Sequence, residues 1–264
     1  MDLEPFKTLI LTVGLCVVRL LTVFMIVPIF SEGTIPGTIR RGLVLSIVLI
    51  IYPMVAPTLP EESIPLIDLV ALLVKEIIIG VFLGFFFSIP FRIAEGVGYL
   101  IDNQRGTGMA SVFDPMAGGE VTPMGVLMLR MIIILFIASG GLLLFFKAVL
   151  TSYQVYPVFS LVPDFNPGMP VVMLGLLDKV MAAILILGAP ILIAVFTSEF
   201  GLGLVNRFAP QLNVFFLAMP IKSAVALLMM VLFLPYLFDY YMEEFSSGDQ
   251  KVFAFLRTVL EPVE

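Results

Sequence analysis

The sequence contains no histidine and no tryptophan, and Cys16 is its only cysteine. A single cysteine excludes a disulfide within the chain, and the lack of histidine excludes a Cys/His zinc site and a histidine-based catalytic triad. Charged residues are also scarce, at 13% of the chain, whereas soluble domains average about 25%. We therefore expect a protein that is not an enzyme and that holds no metal and no cofactor.

Most of the sequence is apolar. The chain is 60% hydrophobic, with a mean hydropathy of +1.13, and a soluble core of 264 residues could not hide that much apolar surface. This composition predicts an integral membrane protein. The net charge of −6 argues against a nucleic-acid partner, and the acidic residues concentrate in a C-terminal tail at about 239–264.

Six apolar segments are each long enough, or nearly so, to cross ~30 Å of hydrocarbon, which requires ~20 helical residues. They lie at about 8–30, 42–57, 66–91, 124–147, 172–198 and 212–238. The alternating pattern of barrel strands is absent, so we expect helices throughout. The predicted fold class is all-α: a single polytopic membrane-type subunit of about six helical segments.

Charges interrupt five of these segments. They are Arg19, Lys75-Glu76, Arg130, Asp178-Lys179 and Lys222. A charge near the bilayer centre costs ~2.5–3.5 kcal/mol and usually faces protein or water. For Arg19, two interpretations stay open: a polar partner inside a helix bundle, or contact with lipid. We interpret the adjacent opposite charges as lying near a membrane interface, and the two remaining cations as snorkelling from helix ends.

A polar, glycine-rich stretch at about 102–123 separates the third and fourth segments. It contains Asp102-Asn103-Gln104-Arg105-Gly106 and Asp114-Pro115. Long loops that are not low-complexity are usually functional or disordered. Asp102 and Arg105 are close enough in sequence to pair. The alternative is an ordinary interhelical loop with a local ion pair.

A second polar cluster marks the turn between the fifth and sixth segments. It comprises Glu199, Asn206, Arg207, Gln211 and Asn213. These side chains suit hydrogen bonds across subunits, and we assign Arg19 and Lys222 to the same class of inter-subunit polar contact. A turn that faces water is the alternative. Arginines also occur only in alternate loops, which by the positive-inside rule places those loops in the cytoplasm.

Three blocks of sequence carry a resemblance to a known family. The first block is Pro28-Ile29-Phe30, followed by Ile35-Pro36, Arg40-Arg41 and Pro53. The second is Ala94-Glu95-Gly96-Val97-Gly98 with Asp102-Asn103-Gln104-Arg105-Gly106, Asp114-Pro115 and Pro123-Met124-Gly125. The third is Glu199 to Arg207 with Ala209-Pro210-Gln211-Leu212-Asn213 and Pro220-Ile221-Lys222-Ser223. The chain resembles the export-gate proteins of type III secretion systems, the family of FliR in flagella and of SpaR, YscT and HrcT in injectisomes. The Asp-Asn-Gln-Arg-Gly block is more similar to the injectisome branch.

The resemblance implies a single subunit in a complex with several copies of two smaller export-gate membrane proteins. Kinked helical hairpins from all three would form a closed helical gate in the bacterial inner membrane, with much of it projecting to the periplasmic side. Unfolded secreted proteins would pass through it, and the switch protein and large export-gate protein of the same system would be further partners. The loop at about 102–123 matches the family's channel plug.

A different class of function is a multi-spanning secondary transporter or channel. Arg19, Lys75-Glu76 and Asp178-Lys179 would then form a site near the middle of the membrane. Such a transporter predicts two inverted halves with matched broken helices, which the sequence does not display. Co-purification with unlike partner subunits would distinguish the export gate from the transporter.

Overall fold

The computed structural model describes residues 4–31, 33–60, 64–106, 122–160, 169–209, 214–248 and 251. Within these ranges the chain forms seven α-helices and contains no strand. The helices are α1 (Glu4–Ile26), α2 (Gly37–Val55), α3 (Leu66–Arg105), α4 (Pro123–Ala138), α5 (Gly141–Val155), α6 (Met169–Phe208) and α7 (Val214–Ser246). Short 3₁₀ segments follow α1 at Pro28–Phe30 and α2 at Ala56–Thr58.

Five of the described helices are long and apolar enough to cross a membrane, namely α1, α2, α3, α6 and α7. In α2 the crossing stretch includes the 3₁₀ segment that follows it. The pair α4 and α5 meets the same criterion only when the two are taken together, which gives up to six spans. The prediction of an all-α polytopic membrane protein is therefore confirmed.

Helix α3 extends further than the hydropathy pattern predicts. It continues through Pro90 to Arg105 and is 40 residues long, so Asp102–Arg105 form its last turn and are not part of a loop. A proline inside a helix costs about 3 kcal/mol because it removes a hydrogen bond and clashes with the preceding turn. The buried rings of Phe87 and Phe91 on either side of Pro90 offset that cost.

The predicted fourth segment is broken in its middle. Helix α4 ends at Ala138, and α5 starts after Gly140, which has a φ of +82°. A positive φ is strained for residues with a Cβ but not for glycine. Because Ser139 and Gly140 add little polarity to the surrounding apolar run, the hydropathy pattern does not reveal the break.

The chain divides into two compact units. The first contains residues 1–89, 140–173 and 247–264. In its core, Phe145 packs against Phe24, Phe30 and Phe87, with ring centroids 5.0–5.9 Å apart. Helices α1 and α3 approach closely at Gly80, where an added Cβ would lie 2.8 Å from the Cβ of Thr22. The first unit thus brings α1, α3 and α5 into direct contact.

The second unit contains residues 90–139 and 174–246. Phe136 of α4 packs against Phe91 of α3 and Phe245 of α7, each at a centroid distance of 5.2 Å. At Gly98, an added Cβ would lie 2.5 Å from the Cα of Gly125. The end of α3 and the start of α4 therefore touch through their backbones.

Candidate functional site

A buried ion cluster lies in the first unit, at the contact of α1, α3 and α5. It consists of Arg19 on α1 and the adjacent Lys75 and Glu76 on α3, and all three side chains are buried. Arg19 donates from Nε to Glu76 Oε2 at 2.6 Å and from Nη2 to Oε1 at 2.9 Å. The Nζ of Lys75 lies 3.1 Å from the same Oε1. One carboxylate thus serves two cations.

Backbone carbonyls complete the coordination of the two cations. Arg19 donates to the carbonyl oxygens of Ser152 and Tyr156, at 2.9 and 3.0 Å. Lys75 donates to three more carbonyls, at 2.6–3.0 Å, those of Pro157, Val158 and Ser160. Helix ends leave carbonyls without partners and favour nearby positive charge. The cluster therefore holds the end of α5 and the chain that follows it.

Tyr153 adds a further link between α1 and α5. The guanidinium carbon of Arg19 lies 4.1 Å from the centre of the Tyr153 ring, and the hydroxyl of Tyr153 donates to the carbonyl oxygen of Cys16 at 2.9 Å. A cation over an aromatic face is attracted by the ring's negative face. The arrangement has the character of a structural tie, because Arg19 is fully enclosed.

The structure decides between the open interpretations of these charges. The polar partner expected for Arg19 is confirmed, and the alternative of lipid contact is wrong. The assignment of Arg19 as an inter-subunit contact is also wrong, because its guanidinium is buried and its bonds stay within the chain. Lys75 and Glu76 are buried within the protein. Their predicted place near a membrane interface stays a prediction.

The last turn of α3 forms a second polar site, in the second unit. Asp102 is buried, and its Oδ2 accepts hydrogen bonds from the backbone N–H of Met124 at 2.9 Å and of Gly125 at 3.4 Å. Thr122, at the N-cap position of α4, makes no side-chain capping bond. Asp102 therefore supplies from α3 the acceptor that an N-cap residue normally gives to its own helix.

The predicted pairing of Asp102 with Arg105 is confirmed, because Arg105 Nη2 contacts Asp102 Oδ1. Gly106 follows with a φ of +88°, which is the left-handed conformation that commonly ends a helix. Asn103 is exposed and Gln104 is half-buried. The remainder of the predicted plug, including Asp114 and Pro115, lies outside the described residues, so its role stays a prediction.

Three members of the polar cluster predicted at the turn between the fifth and sixth segments lie inside helix α6, which continues to Phe208: Glu199, Asn206 and Arg207. Glu199 Oε2 of α6 lies 2.9 Å from Lys222 Nζ of α7, so Lys222 is held by a carboxylate and does not snorkel freely. Asn206 and Arg207 are exposed in the last turn of α6. Gln211 and Asn213 lie outside the described residues. The inter-subunit role predicted for this turn stays a prediction.

Three of the interrupting charges face outward. Arg130 of α4 and the adjacent Asp178 and Lys179 of α6 are exposed. Within the part of the chain that the structure describes, none of the three has a hydrogen-bond or ion-pair partner. The charges of α1 and α3, and Lys222 of α7, thus have partners within the chain, whereas Arg130, Asp178 and Lys179 have none among the described residues.

The sequence is similar to known proteins over most of its length. The sequence profile of the family described as bacterial export proteins, family 1, matches residues 10–248. Yop proteins translocation protein T of Yersinia pestis is 39% identical over 225 residues, which cover 85% of this chain and 86% of that protein. Surface presentation of antigens protein SpaR of Salmonella typhimurium is 30% identical over 227 residues, covering 85% and 83% of the two chains.

Flagellar biosynthetic protein FliR of Escherichia coli is also similar, with 27% identity over 219 residues and 82% of each chain covered. Identity is thus higher to the Yersinia protein than to this flagellar one, which favours the injectisome branch. The family match includes the buried ion cluster, the end of α3 and the α6–α7 hairpin. The chain therefore belongs to the bacterial export proteins, family 1, the SpaR, YscT, HrcT and FliR family of type III secretion.

Proposed function

We propose that this chain is a subunit of a type III secretion export gate and forms part of the channel that unfolded substrate proteins enter. The observation that carries the proposal is the family match over residues 10–248, together with relatives named for translocation and for surface presentation. Helices long and apolar enough to cross a membrane support a place in the bacterial inner membrane.

The proposed partners are two smaller export-gate membrane proteins, each present in several copies, with the switch protein and the large export-gate protein of the same system. Much of the assembled gate would project to the periplasmic side. Surface composition supports such an assembly. Helix α7 is strongly apolar, yet only 11% of its membrane-spanning window is buried within the chain. A partner helix or lipid must cover the rest.

In the proposed gate, the segment between α3 and α4 closes the channel. The geometry of its two flanks supports this role. Asp102 at the end of α3 binds the first turn of α4 at 2.9 Å, and Gly98 packs on Gly125. Both ends of the segment are therefore fixed at one place. In this proposal, a substrate displaces the segment while the two flanking helices stay in position.

Deletion of residues 107–119 tests the gate. In cells that make the complete export complex, we expect the deletion to raise uptake of a small impermeant dye while the complex still assembles. A same-length Gly/Ser replacement is the matched control, because it separates loss of length from loss of sequence. If the deletion complex assembles and leaks no more than the unaltered complex, the segment is an ordinary connector.

Purification tests the class of function. An export-gate subunit should be recovered from bacterial membranes together with unlike membrane proteins in a fixed ratio. A secondary transporter, the other class that the intramembrane charges allow, should be recovered alone or as a symmetric oligomer. Recovery in either of those two forms from cells that make all the partners would contradict the proposed function.

A further inference from the structure

Helix α4 presents an apolar stripe that no described part of the chain covers. Its members are exposed and recur at helical spacing: Val126, Leu127, Arg130, Ile134 and Ile137. Residues three and four positions apart share one face of a helix. We call this set the Arg130 stripe. It extends over about three helical turns, or roughly 17 Å at 1.5 Å per residue.

The opposite face of α4 is anchored in the second unit, so the stripe has a fixed direction. Met128, Ile132 and Phe136 are buried, and Phe136 packs between Phe91 and Phe245. Asp102 holds the first turn of the helix. Because α4 cannot rotate without breaking these contacts, Arg130 stays on the outward face.

Arg130 has exposed apolar neighbours on both sides along the stripe. It lies seven residues into α4, which at 1.5 Å per residue is about 10 Å from the helix N-terminus. Ile134, the next member of the stripe, is 67% exposed. A charge within a membrane-spanning segment is costly, and it usually faces protein or a water-filled cavity. Within the described residues, Arg130 has none.

This chain meets other cations of its apolar helices with carboxylates. Glu76 binds both Arg19 and Lys75, and Glu199 binds Lys222. In each case the cation belongs to a helix that packs against protein. By the same chemistry, the occupant of the Arg130 stripe should supply one carboxylate and an apolar surface on either side of it.

We propose that the Arg130 stripe binds an apolar helix of another polypeptide, which places a single carboxylate opposite Arg130. Helix α6 of this chain shows the pattern such a helix would have, with Asp178 between the exposed residues Leu174 and Met181. A lipid phosphate fits less well, because the stripe is apolar both before and after Arg130. The proposal deepens the proposed function, since it requires other subunits in the gate.

The test places a photo-crosslinking amino acid at Ile134 in cells that make the complete export complex. We expect a crosslinked product with another membrane protein of the complex. Arg130→Glu should reduce its yield at least tenfold, because two carboxylates would then face each other. Arg130→Lys should preserve most of it. The matched control is Arg41→Glu, a reversal at an exposed arginine of α2, which should leave the yield unchanged.

A charge swap provides a second measurement. When Arg130→Glu is combined with replacement of the partner's carboxylate by lysine, the crosslink should return. If Arg130→Glu prevents the chain from accumulating, Arg130→Gln takes its place and should reduce the yield several-fold. Neither result would follow if the stripe only touched lipid.

Three outcomes would overturn the proposal: products that contain lipid only, a product of twice this chain's own mass, or a protein product that Arg130→Glu and Arg130→Gln leave unchanged. These outcomes are separable from failure of the proposed function. If the chain still purifies with unlike subunits and the complex still secretes, the export-gate assignment stands and only the stripe assignment fails.

Discussion

At the scale of single residues, the carboxylate of Glu76 connects two buried cations in the first unit. Glu76 is the only carboxylate among the described contacts of Arg19 and Lys75, and all three groups are buried. A buried ion pair adds little stability compared with well-packed apolar residues, because desolvation offsets the attraction. Removal of one member is far more costly, because it leaves an uncompensated buried charge.

We therefore expect Glu76→Gln to destabilise the protein by about 3–5 kcal/mol. The measurement is the melting temperature of the purified complex in detergent, followed by size-exclusion chromatography after heating. The control is Glu95→Gln, which changes an exposed carboxylate of the same helix that pairs with Arg92. That change should cost no more than ~0.5 kcal/mol. Equal losses in the two variants would show that the cluster is not a stabilising tie.

Part of this chemistry could be predicted from residue types. Arg19 stands alone in an apolar run, so a polar partner for it follows from the cost of a bare charge. Asp102 and Arg105 are one helical turn apart, so their pairing follows from spacing. Most of the contacts of Lys75 do not follow from residue types, because they are made to the backbone carbonyls of Pro157, Val158 and Ser160. Every residue has a carbonyl, and the sequence does not show which ones are left free.

At the scale of secondary-structure elements, hydropathy identified the helices but placed the ends of α3, α6 and α7 too early and did not reveal one break. It placed the end of α3 at about 91, because the turns that follow are polar. The helix continues to Arg105 because Asp102 is buried against the first turn of α4, which is a tertiary contact. The break at Gly140 is the opposite case, in which a backbone feature lies within an apolar run.

The contact between α3 and α4 depends on glycine. At Gly98, an added Cβ would lie 2.5 Å from three backbone atoms, including the N and Cα of Gly125. Backbone atoms cannot move aside as a flexible side chain can. We expect Gly98→Ala to separate the two helices and to destabilise the second unit by about 1–3 kcal/mol. A fall in the melting temperature of the complex would be the measured result.

Gly201→Ala is the matched control for that variant. Gly201 is an exposed glycine of α6, and an added Cβ there would meet no atom within 4 Å. Alanine is favoured over glycine in a helix by about 1 kcal/mol, so this change should leave the melting temperature unchanged or raise it. If the melting temperature falls by a similar amount in both variants, the close approach of α3 and α4 at Gly98 is not the cause.

Asp102 allows a graded test at the same contact. Asp102→Asn keeps an oxygen that can accept from the N–H of Met124, whereas Asp102→Ala removes the acceptor and costs about 0.5–2 kcal/mol. If the flanks hold the closing segment in place, dye uptake by cells with the complete complex should rise more for Ala than for Asn. If dye uptake is the same for both variants and for the unaltered complex, Asp102 has no part in gating.

At the scale of the whole molecule, the question is what covers the apolar exterior. Charges in the apolar helices do not by themselves require partner subunits, because Arg19, Lys75, Glu76 and Lys222 are paired within the chain. The exposed surface gives a better reason. Helices α6 and α7 bury only 28% and 11% of their apolar windows.

We expect the chain to aggregate or be degraded when it is expressed without its partner subunits. The physical reason is the large exposed apolar surface of α6 and α7. In the proposed gate, which projects from the bilayer, partner subunits would cover this surface wherever lipid does not reach. Size-exclusion chromatography of the chain alone, compared with the co-expressed complex, measures this. A monodisperse monomer in detergent would indicate that lipid alone covers these helices in the membrane, and would contradict the projecting gate.

The single cysteine, Cys16, is a natural probe of local opening in this protein. Its thiol is fully buried in α1, and the carbonyl of the same residue accepts the hydroxyl of Tyr153. An alkylating reagent can reach the sulfur only when α1 moves away from its neighbours. The ratio of the reaction rate in the folded protein to that in the unfolded chain therefore yields an equilibrium constant for local opening. No probe has to be introduced, because no other cysteine competes for the reagent.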